Sequence, residues 1–236
     1  MLRYRISYSK EGPARYMSHL DLVRAFERGL RRAGLPVSLS QGFNPHSRLS
    51  FGFPLPVGVA GLEEYVDIEL EQEVSPEGVV SSLNQVLPQG IKTGGCRLLE
   101  DKSPALMAEV ERAHYLVRIR GEAAPGLEML ENCLAGIMGR AEITVTRRKK
   151  DGRAVPFDIR PGLLGLSARL EEGRPVVEMD LISGSALNIR PAEVVSALRD
   201  QCGLPEDLRL EITRTGIKGS GGRDLSGVQI KGKWNE

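Results

Sequence analysis

Two stretches decide the fold: LRYRISYS at residues 2–9 and SHLDLVRAFERGLRRAG at residues 18–34. Apolar and polar residues alternate in the first stretch, which predicts a half-buried β-strand. The second stretch changes to helical periodicity. Ser18 and Asp21 form a helix-start signal, and Gly34 marks the stop. We therefore predict that the chain opens with a strand followed by a helix.

The elements after this helix complete a known order. We predict short strands at 37–40 and 48–53, a longer strand at 63–71, a helix at 76–87 and a strand at 91–99. With the two short pieces and 63–71 taken as one hairpin region, the order is β-α-β-β-α-β. That order is typical of the ferredoxin-like fold.

The same order recurs in the second half of the chain, with one additional hairpin strand. We predict a strand at 113–120, a helix at 126–138, a helix at 191–200 and a closing strand at 208–215, with further strands between the helices. The predicted class is α+β, with two tandem ferredoxin-like domains at 1–102 and 112–216, each an antiparallel sheet with helices on one face. Residues 217–236, rich in Gly, Ser and Lys, are predicted to be a flexible tail.

Composition excludes several classes of protein. The 236 residues are 41% hydrophobic and 27% charged, and no run is long and apolar enough for a membrane span. No secretory signal is evident at the start of the sequence, so we expect a cytoplasmic protein. The three cysteines are few and far apart, and we interpret Cys96, Cys133 and Cys202 as small buried hydrophobic residues, without a disulfide framework.

Charge is concentrated near the N-terminus. Residues 1–50 contain nine Lys or Arg and three Asp or Glu, although the whole chain has a net charge of only +1. On the predicted helix Leu22, Phe26 and Leu30 form one side and the arginines the other. Such a surface is suited to phosphate groups, and phenylalanine can stack on bases. The candidate RNA-binding residues are Arg24, Arg28, Arg31, Arg32, Phe43, His46 and Arg48.

Two histidines are candidate catalytic residues. His19 follows the predicted N-cap, where the helix dipole favours the neutral ring, and it is either a base or a core-edge side chain bonded to a carbonyl. His46 follows the turn-forming pair Asn44-Pro45 and is either an anion contact or a structural loop residue. His114 is assigned no role.

Motifs for other chemistry are missing. No HExxH or comparable spacing predicts a metal site, and no glycine-rich phosphate loop follows a strand. No G-x-S-x-G elbow predicts a serine nucleophile. We therefore expect no metal and no cofactor.

The sequence at 4–70 resembles the opening of the radical-SAM-linked protein family, a bacterial domain of unknown function that occurs alone or C-terminal to radical SAM enzymes. The resemblance is carried by YMSHLD (16–21), GFNPHSRLSFGFPLPVG (42–58) and the EYVDI strand that follows them. It is looser in the second half and ends near ITRTG (212–216). The C-x-x-x-C-x-x-C motif of a radical SAM domain is absent, which implies that the chain resembles the accessory domain alone.

These observations lead to one expectation and two alternatives. We expect an accessory RNA-binding domain, not catalytic by itself, that works with a radical SAM enzyme in tRNA or rRNA modification. One alternative is a metal-independent endoribonuclease or RNA-modifying enzyme that uses His19 or His46 as its base. The other is a protein-interaction module that docks on a radical SAM enzyme and does not contact RNA.

Overall fold

The computed structural model describes residues 1–149 and 151–225. The chain is an α+β protein with a largely antiparallel sheet and, in the described residues, five α-helices. It divides into two compact units. The first comprises Met1–Val110 and the described residues from Ile217 onward, and the second comprises Glu111–Gly216. No helix in the described part is long and apolar enough to cross a membrane.

The first unit begins with strand and helix in the predicted order. Its elements are β1 (Leu2–Lys10), α1 (His19–Arg32), β2 (Leu49–Phe51), β3 (Ala60–Leu70), α2 (Pro76–Asn84), β4 (Ile91–Leu98) and the short α3 (Leu106–Glu109). The strands pair in the order β4-β1-β3, and β2 pairs with β3. All three pairings are antiparallel. The long connection between α1 and β2 contributes only isolated bridges, at Val37 and Leu39.

The core of this unit follows from the alternation along β1. Tyr4, Ile6 and Tyr8 are buried together with the apolar side of α1. The rings of Tyr8 and Phe26 meet edge to face with their centroids 5.1 Å apart, a favourable aromatic geometry. Because the apolar residues of β1 face this core, the intervening residues, including Arg5, face the other side of the sheet.

The second unit contains β5 (Val110–Arg120), α4 (Leu127–Met138), β6 (Thr144–Arg148), β7 (Ala154–Asp158), β8 (Leu163–Glu171), β9 (Arg174–Ile182), α5 (Pro191–Cys202) and β10 (Arg209–Gly219). Its main strands are ordered β10-β5-β9-β8, and β6 pairs only with β7 in a separate two-stranded sheet. The division between the units falls inside β10, whose last three residues belong to the first unit.

One prediction about the cysteines is wrong. Cys133 on α4 and Cys202 at the end of α5 form a disulfide, with Cα atoms 5.6 Å apart. The two residues are separated by 69 positions, so sequence spacing gave no signal for the pairing. Packing of α4 against α5 brings them together. Cys96 is a free, partly buried thiol.

The C-terminal region is more ordered at its start than the sequence suggested. Strand β10 continues through Gly219, and a 3-10 turn follows at Ser220–Gly222. The predicted flexible tail at 217–236 therefore begins inside a strand. The rest of that prediction, residues 226–236, lies outside the described residues, as does Lys150.

Candidate functional site

The N-terminus of α1 is fixed by the predicted cap. The Ser18 hydroxyl accepts a hydrogen bond from the Asp21 backbone N–H at 3.2 Å and donates one to the Asp21 carboxylate at 2.7 Å. This hydrogen bond from Ser18 lowers the pKa of Asp21 below its ordinary value. At the other end Gly34 adopts a φ of +66°, a left-handed conformation that glycine tolerates and that stops the helix.

The arginines of α1 form one exposed row. Leu22, Phe26 and Leu30 are buried, whereas the side chains on the opposite side are exposed. In the described part of the chain, one carboxylate lies within ion-pair distance of the row, that of Asp21, which is 3.9 Å from Arg24. The row therefore keeps most of its positive charge available to a ligand. Its members are Arg24, Arg28, Arg31 and Arg32.

The loop before β2 is closed by Ser40 and His46. The Ser40 N–H donates to the His46 carbonyl at 2.8 Å, and the His46 N–H donates to the Ser40 hydroxyl at 3.1 Å. The hydroxyl is also 2.8 Å from His46 Nδ1. Nδ1 also lies 3.5 Å from the Asn44 carbonyl oxygen, so both polar neighbours of this nitrogen belong to the same loop. The ring is thus oriented by its own loop.

Phe43 lies at the exposed end of this loop. Its side chain is fully exposed, which is unusual for a large aromatic residue. Gly42 beside it has a φ of +131°, which a residue with a side chain rarely adopts. The loop therefore holds an unpacked aromatic face that is available for stacking.

Arg48 is held behind the loop by β3. Its Nη1 is 3.0 Å from a carboxylate oxygen of Glu69, and its backbone N–H donates to the Ser38 carbonyl. Arg48 Nε is shielded from solvent and makes no hydrogen bond within the described residues, and the same is true of the buried Ser38 hydroxyl. The Arg48 Nε and the Ser38 hydroxyl, whose residues are joined by a backbone hydrogen bond, thus both lack a hydrogen-bond partner in the described residues.

These side chains line a cavity of about 390 Å³. Its polar lining combines cations, hydroxyls and two carboxylates, those of Asp67 and Glu69. Hydroxyl and guanidinium donors can bind phosphate oxygens, and a carboxylate can accept from the N–H groups of a base. The residues that matter here are Arg3, Ser40, His46, Arg48, Ser50 and Glu69.

His19 is elsewhere. It is exposed, and its ring meets the Phe51 ring edge to face with centroids 5.5 Å apart. His19 is not among the described residues that line the cavity of His46 and Arg48. The structure thus brings together His46 and Arg48 of the sequence-predicted residues, and places His19 on the aromatic cluster of the core.

Sequence reasoning missed a second cavity, of about 560 Å³, in the second unit. His114 lines it, with Nδ1 3.6 Å from a carboxylate oxygen of Asp180. Arg169 and Glu178, also in the lining, are joined at 2.7 Å. His114 and Asp180 face each other across β5 and β9. They are distant in sequence, so no local spacing could have predicted the pair.

Metal ligands do not cluster in the described part of the chain. No group of three or more His, Cys, Asp or Glu side chains there is arranged to hold an ion.

The fold and these surfaces define an α+β protein whose first unit carries an exposed arginine row and a polar cavity. A family model described as "Uncharacterized protein conserved in bacteria (DUF2344)" matches residues 3–191. The chain belongs to this family.

Two other comparisons add no function. No curated protein matches the chain. A solved structure titled "Crystal structure of putative glycine cleavage system transcriptional repressor" matches with 9% sequence identity, covering 89% of this chain and 95% of that chain, with a TM-score of 0.22. A likeness at this level supports no conclusion about this chain.

Proposed function

We propose that the chain is an accessory RNA-binding protein that holds RNA on its first unit. The observation that carries the proposal is the row of exposed arginines on α1, which lacks neutralising carboxylates apart from Asp21 in the described residues. Several arginines elsewhere in the described residues are paired with carboxylates, as Arg118 is with Glu171 and Arg169 with Glu178. Exposed arginines without such a partner in that part of the chain also occur singly, but α1 carries three of them, Arg28, Arg31 and Arg32, on one helix.

RNA fits this row better than a small anion does. Successive phosphates of a strand can meet several guanidinium groups at once, and each contact releases counterions. Phe43 supplies a ring on which an unpaired base can stack, while His46 and Arg48 supply donors in the cavity. A phosphate chain with unpaired bases would use both kinds of contact.

The strand orders support a ferredoxin-like arrangement for each unit. Strands β4-β1-β3-β2 in the first unit and β10-β5-β9-β8 in the second each correspond to the order 4-1-3-2 of a split βαβ motif. Folds of this kind have many functions, so the argument for RNA rests on the surface and not on the fold.

The partner in this proposal is a radical SAM enzyme that modifies tRNA or rRNA. The support for it is the resemblance of residues 4–70 to the radical-SAM-linked family. In this role the chain would bring the substrate to the enzyme. Co-purification of the two proteins after nuclease treatment, with no affinity for RNA, would favour the protein-interaction module instead.

The test is RNA binding by the full chain as a function of salt. We expect tRNA or rRNA fragments to bind with a logarithmic salt dependence that reflects several phosphate contacts. Arg28→Ala/Arg31→Ala should reduce the slope by about 1.4 for single-stranded RNA, since each lost contact accounts for about 0.7. Lys92→Ala/Lys102→Ala is the matched control, because it removes two exposed cations of the same unit away from α1.

Three results would decide the matter. Absence of salt-sensitive binding overturns the proposal. Equal slopes for the α1 variant and the control overturn the assignment of the site to α1. Recovery of cleaved RNA after incubation with the protein in EDTA, abolished by His46→Ala, would favour the endoribonuclease alternative.

A further inference from the structure

The β6–β7 hairpin of the second unit stands apart from the main sheet. Its strands pair only with each other, from Thr144 opposite Asp158 to Arg148 opposite Ala154. Burial alternates along β6, so that one face is exposed and the other is partly buried. An isolated two-stranded ribbon is only marginally stable in water, so this one must be held by other contacts.

Arg147 anchors the hairpin through its partly buried face. Its guanidinium forms two hydrogen bonds with the Glu193 carboxylate, both at 2.7 Å, and a third with the Asn188 carbonyl at 3.0 Å. It also lies 3.5 Å from the centre of the Phe157 ring. Glu193 belongs to the first turn of α5, where it also accepts from the Arg190 N–H. The charge of Arg147 is therefore used within the protein.

A second contact fixes the base of the hairpin. The Asp158 carboxylate accepts from the Ile143 N–H at 2.8 Å and from the Arg160 N–H at 2.9 Å. Ile143 and Ile159 beside it are buried. The hairpin is thus preorganised, and a ligand that binds it need not order it first.

The cations beyond the anchor remain available. Arg148 and Lys149 are exposed, and neither has an ion-pair partner in the described part of the chain. Arg153 adds little to this positive charge, because its guanidinium donates to the Asp151 carboxylate at 2.7 Å. On the exposed face of the ribbon, Thr146, Pro156 and Ala154 are small and uncharged. Thr144, at the base, instead donates its hydroxyl to the Glu142 carboxylate and lies opposite Asp158.

We propose that the β6–β7 hairpin is a second RNA contact that holds the phosphate backbone of double-helical RNA. This inference rests on the proposed function and adds the class of RNA to it: a structured molecule with both paired and unpaired segments. Arg148 and Lys149 contact phosphates, and Arg147 positions the ribbon that presents them.

The chemistry of the exposed face favours a duplex. Stacking on unpaired bases requires an accessible aromatic ring, but the Phe157 ring is covered by Arg147. The Thr146 hydroxyl and the two cations suit phosphate and ribose groups, which a helix displays in a regular array, and such contacts do not depend on base sequence. The hairpin is therefore suited to a paired segment of RNA, whereas Phe43 is suited to an unpaired base.

The experiment compares a stem-loop RNA with an unpaired RNA of the same length. Binding of the full chain is measured by fluorescence anisotropy between about 50 and 200 mM KCl. The variants are Arg148→Ala, Arg148→Ala/Lys149→Ala and the control Arg174→Ala, which removes an exposed arginine from the first position of β9. All three substituted side chains are exposed, so folding should not change, and circular dichroism checks this.

We expect the double variant to bind the stem-loop roughly tenfold more weakly at 0.1 M KCl, with a salt slope lower by about 1.4 to 1.8. The loss should be smaller for the unpaired RNA, and Arg174→Ala should match the wild type. If the wild type binds and the double variant binds equally well, the inference fails while the proposed function stands. If the double variant loses affinity only for unpaired RNA, the assignment to a duplex is overturned. A wild type that binds neither RNA overturns both.

Discussion

Arg5 and Asp67 lie opposite each other on β1 and β3 and are joined by two hydrogen bonds, of 2.8 and 3.0 Å, inside the protein. Their side chains are only 1% and 3% exposed. Arg5 also bonds to Glu109 at 2.8 Å. Burial lowers the pKa of Arg5, but the hydrogen bonds to Asp67 and Glu109 outweigh burial and raise it. The guanidinium thus remains charged on the sheet face opposite the apolar core.

Removal of Arg5 should be strongly destabilising. Arg5→Ala leaves the Asp67 carboxylate buried without its partner, and the expected loss in free energy of unfolding is about 3 to 5 kcal/mol. Asp67→Ala should cost less, because Arg5 retains Glu109. Urea unfolding followed by circular dichroism measures both.

Arg5→Lys serves as the milder variant if Arg5→Ala does not fold. Lysine keeps the charge but cannot form the two parallel hydrogen bonds to Asp67. The free energy of unfolding of Arg5→Lys should therefore lie between those of the wild type and Arg5→Ala. A cost below about 1 kcal/mol for each single variant would contradict this account of the pair.

The elements that could be predicted from the sequence are those set by residues close to one another along the chain. The alternation at 2–9 predicted β1, and Ser18 with Gly34 predicted both ends of α1. Local periodicity and capping can be read directly because each involves residues a few positions apart. The side of α1 that carries the exposed arginines followed from the same periodicity.

Sequence reasoning could not reach the contacts that depend on strand register and helix packing. Arg5 meets Asp67, and His114 meets Asp180, because antiparallel strands place them opposite each other. No short motif records such a pairing. For the same reason the sequence RRKK at 147–150 gave no sign that Glu193 neutralises Arg147, and the disulfide was missed. The cytoplasmic location stays a prediction.

Reduction of the Cys133–Cys202 disulfide should destabilise the second unit. Closing a loop across a separation of 69 residues restricts the unfolded chain, and the expected contribution is about 4 kcal/mol. Urea unfolding with and without a reducing agent measures it, and Cys133→Ser should reproduce the reduced protein. Three reactive thiols in the denatured, unreduced protein would show that the bond is absent.

The third cysteine should be inert in the folded protein. Burial, with a smaller contribution from Glu77, raises the pKa of Cys96 to about 12. Since the thiolate is the reactive form, iodoacetamide should modify Cys96 slowly at pH 8 and rapidly in urea. The neutral thiol favours the folded state below about pH 9, and this contribution should be lost as pH rises towards 12. Cys96→Ala should lack that part of the pH dependence. Rapid alkylation of the folded protein would contradict the prediction.

Ser18→Ala should weaken the start of α1. Loss of an N-cap hydroxyl costs about 1 kcal/mol in helices of this kind.

The Ser18→Ala substitution should also change how stability depends on pH. The Ser18 hydrogen bond lowers the pKa of Asp21, so the carboxylate favours the folded state at neutral pH and ceases to do so as pH falls below 3.8. Thermal unfolding at several pH values measures both effects. Ser18→Thr keeps the hydroxyl and should behave as the wild type; equal losses in Ser18→Ala and Ser18→Thr would exclude the cap as the cause.

Phe43→Ala should weaken binding to unpaired RNA without changing the stability of the protein. The ring is fully exposed and contributes no packing, so its removal should leave the unfolding curve unchanged. If a base stacks on it, the loss in binding free energy is about 1 to 3 kcal/mol, and the salt slope should stay the same because no phosphate contact is lost.

Leu39→Ala, which removes another exposed apolar side chain near the loop, is the control. Phe43→Tyr should retain binding. A change in the salt slope of Phe43→Ala without a loss of affinity for RNA would rule out stacking. Equal losses of affinity in Phe43→Ala and Leu39→Ala would also rule it out, because only an aromatic ring can stack on a base.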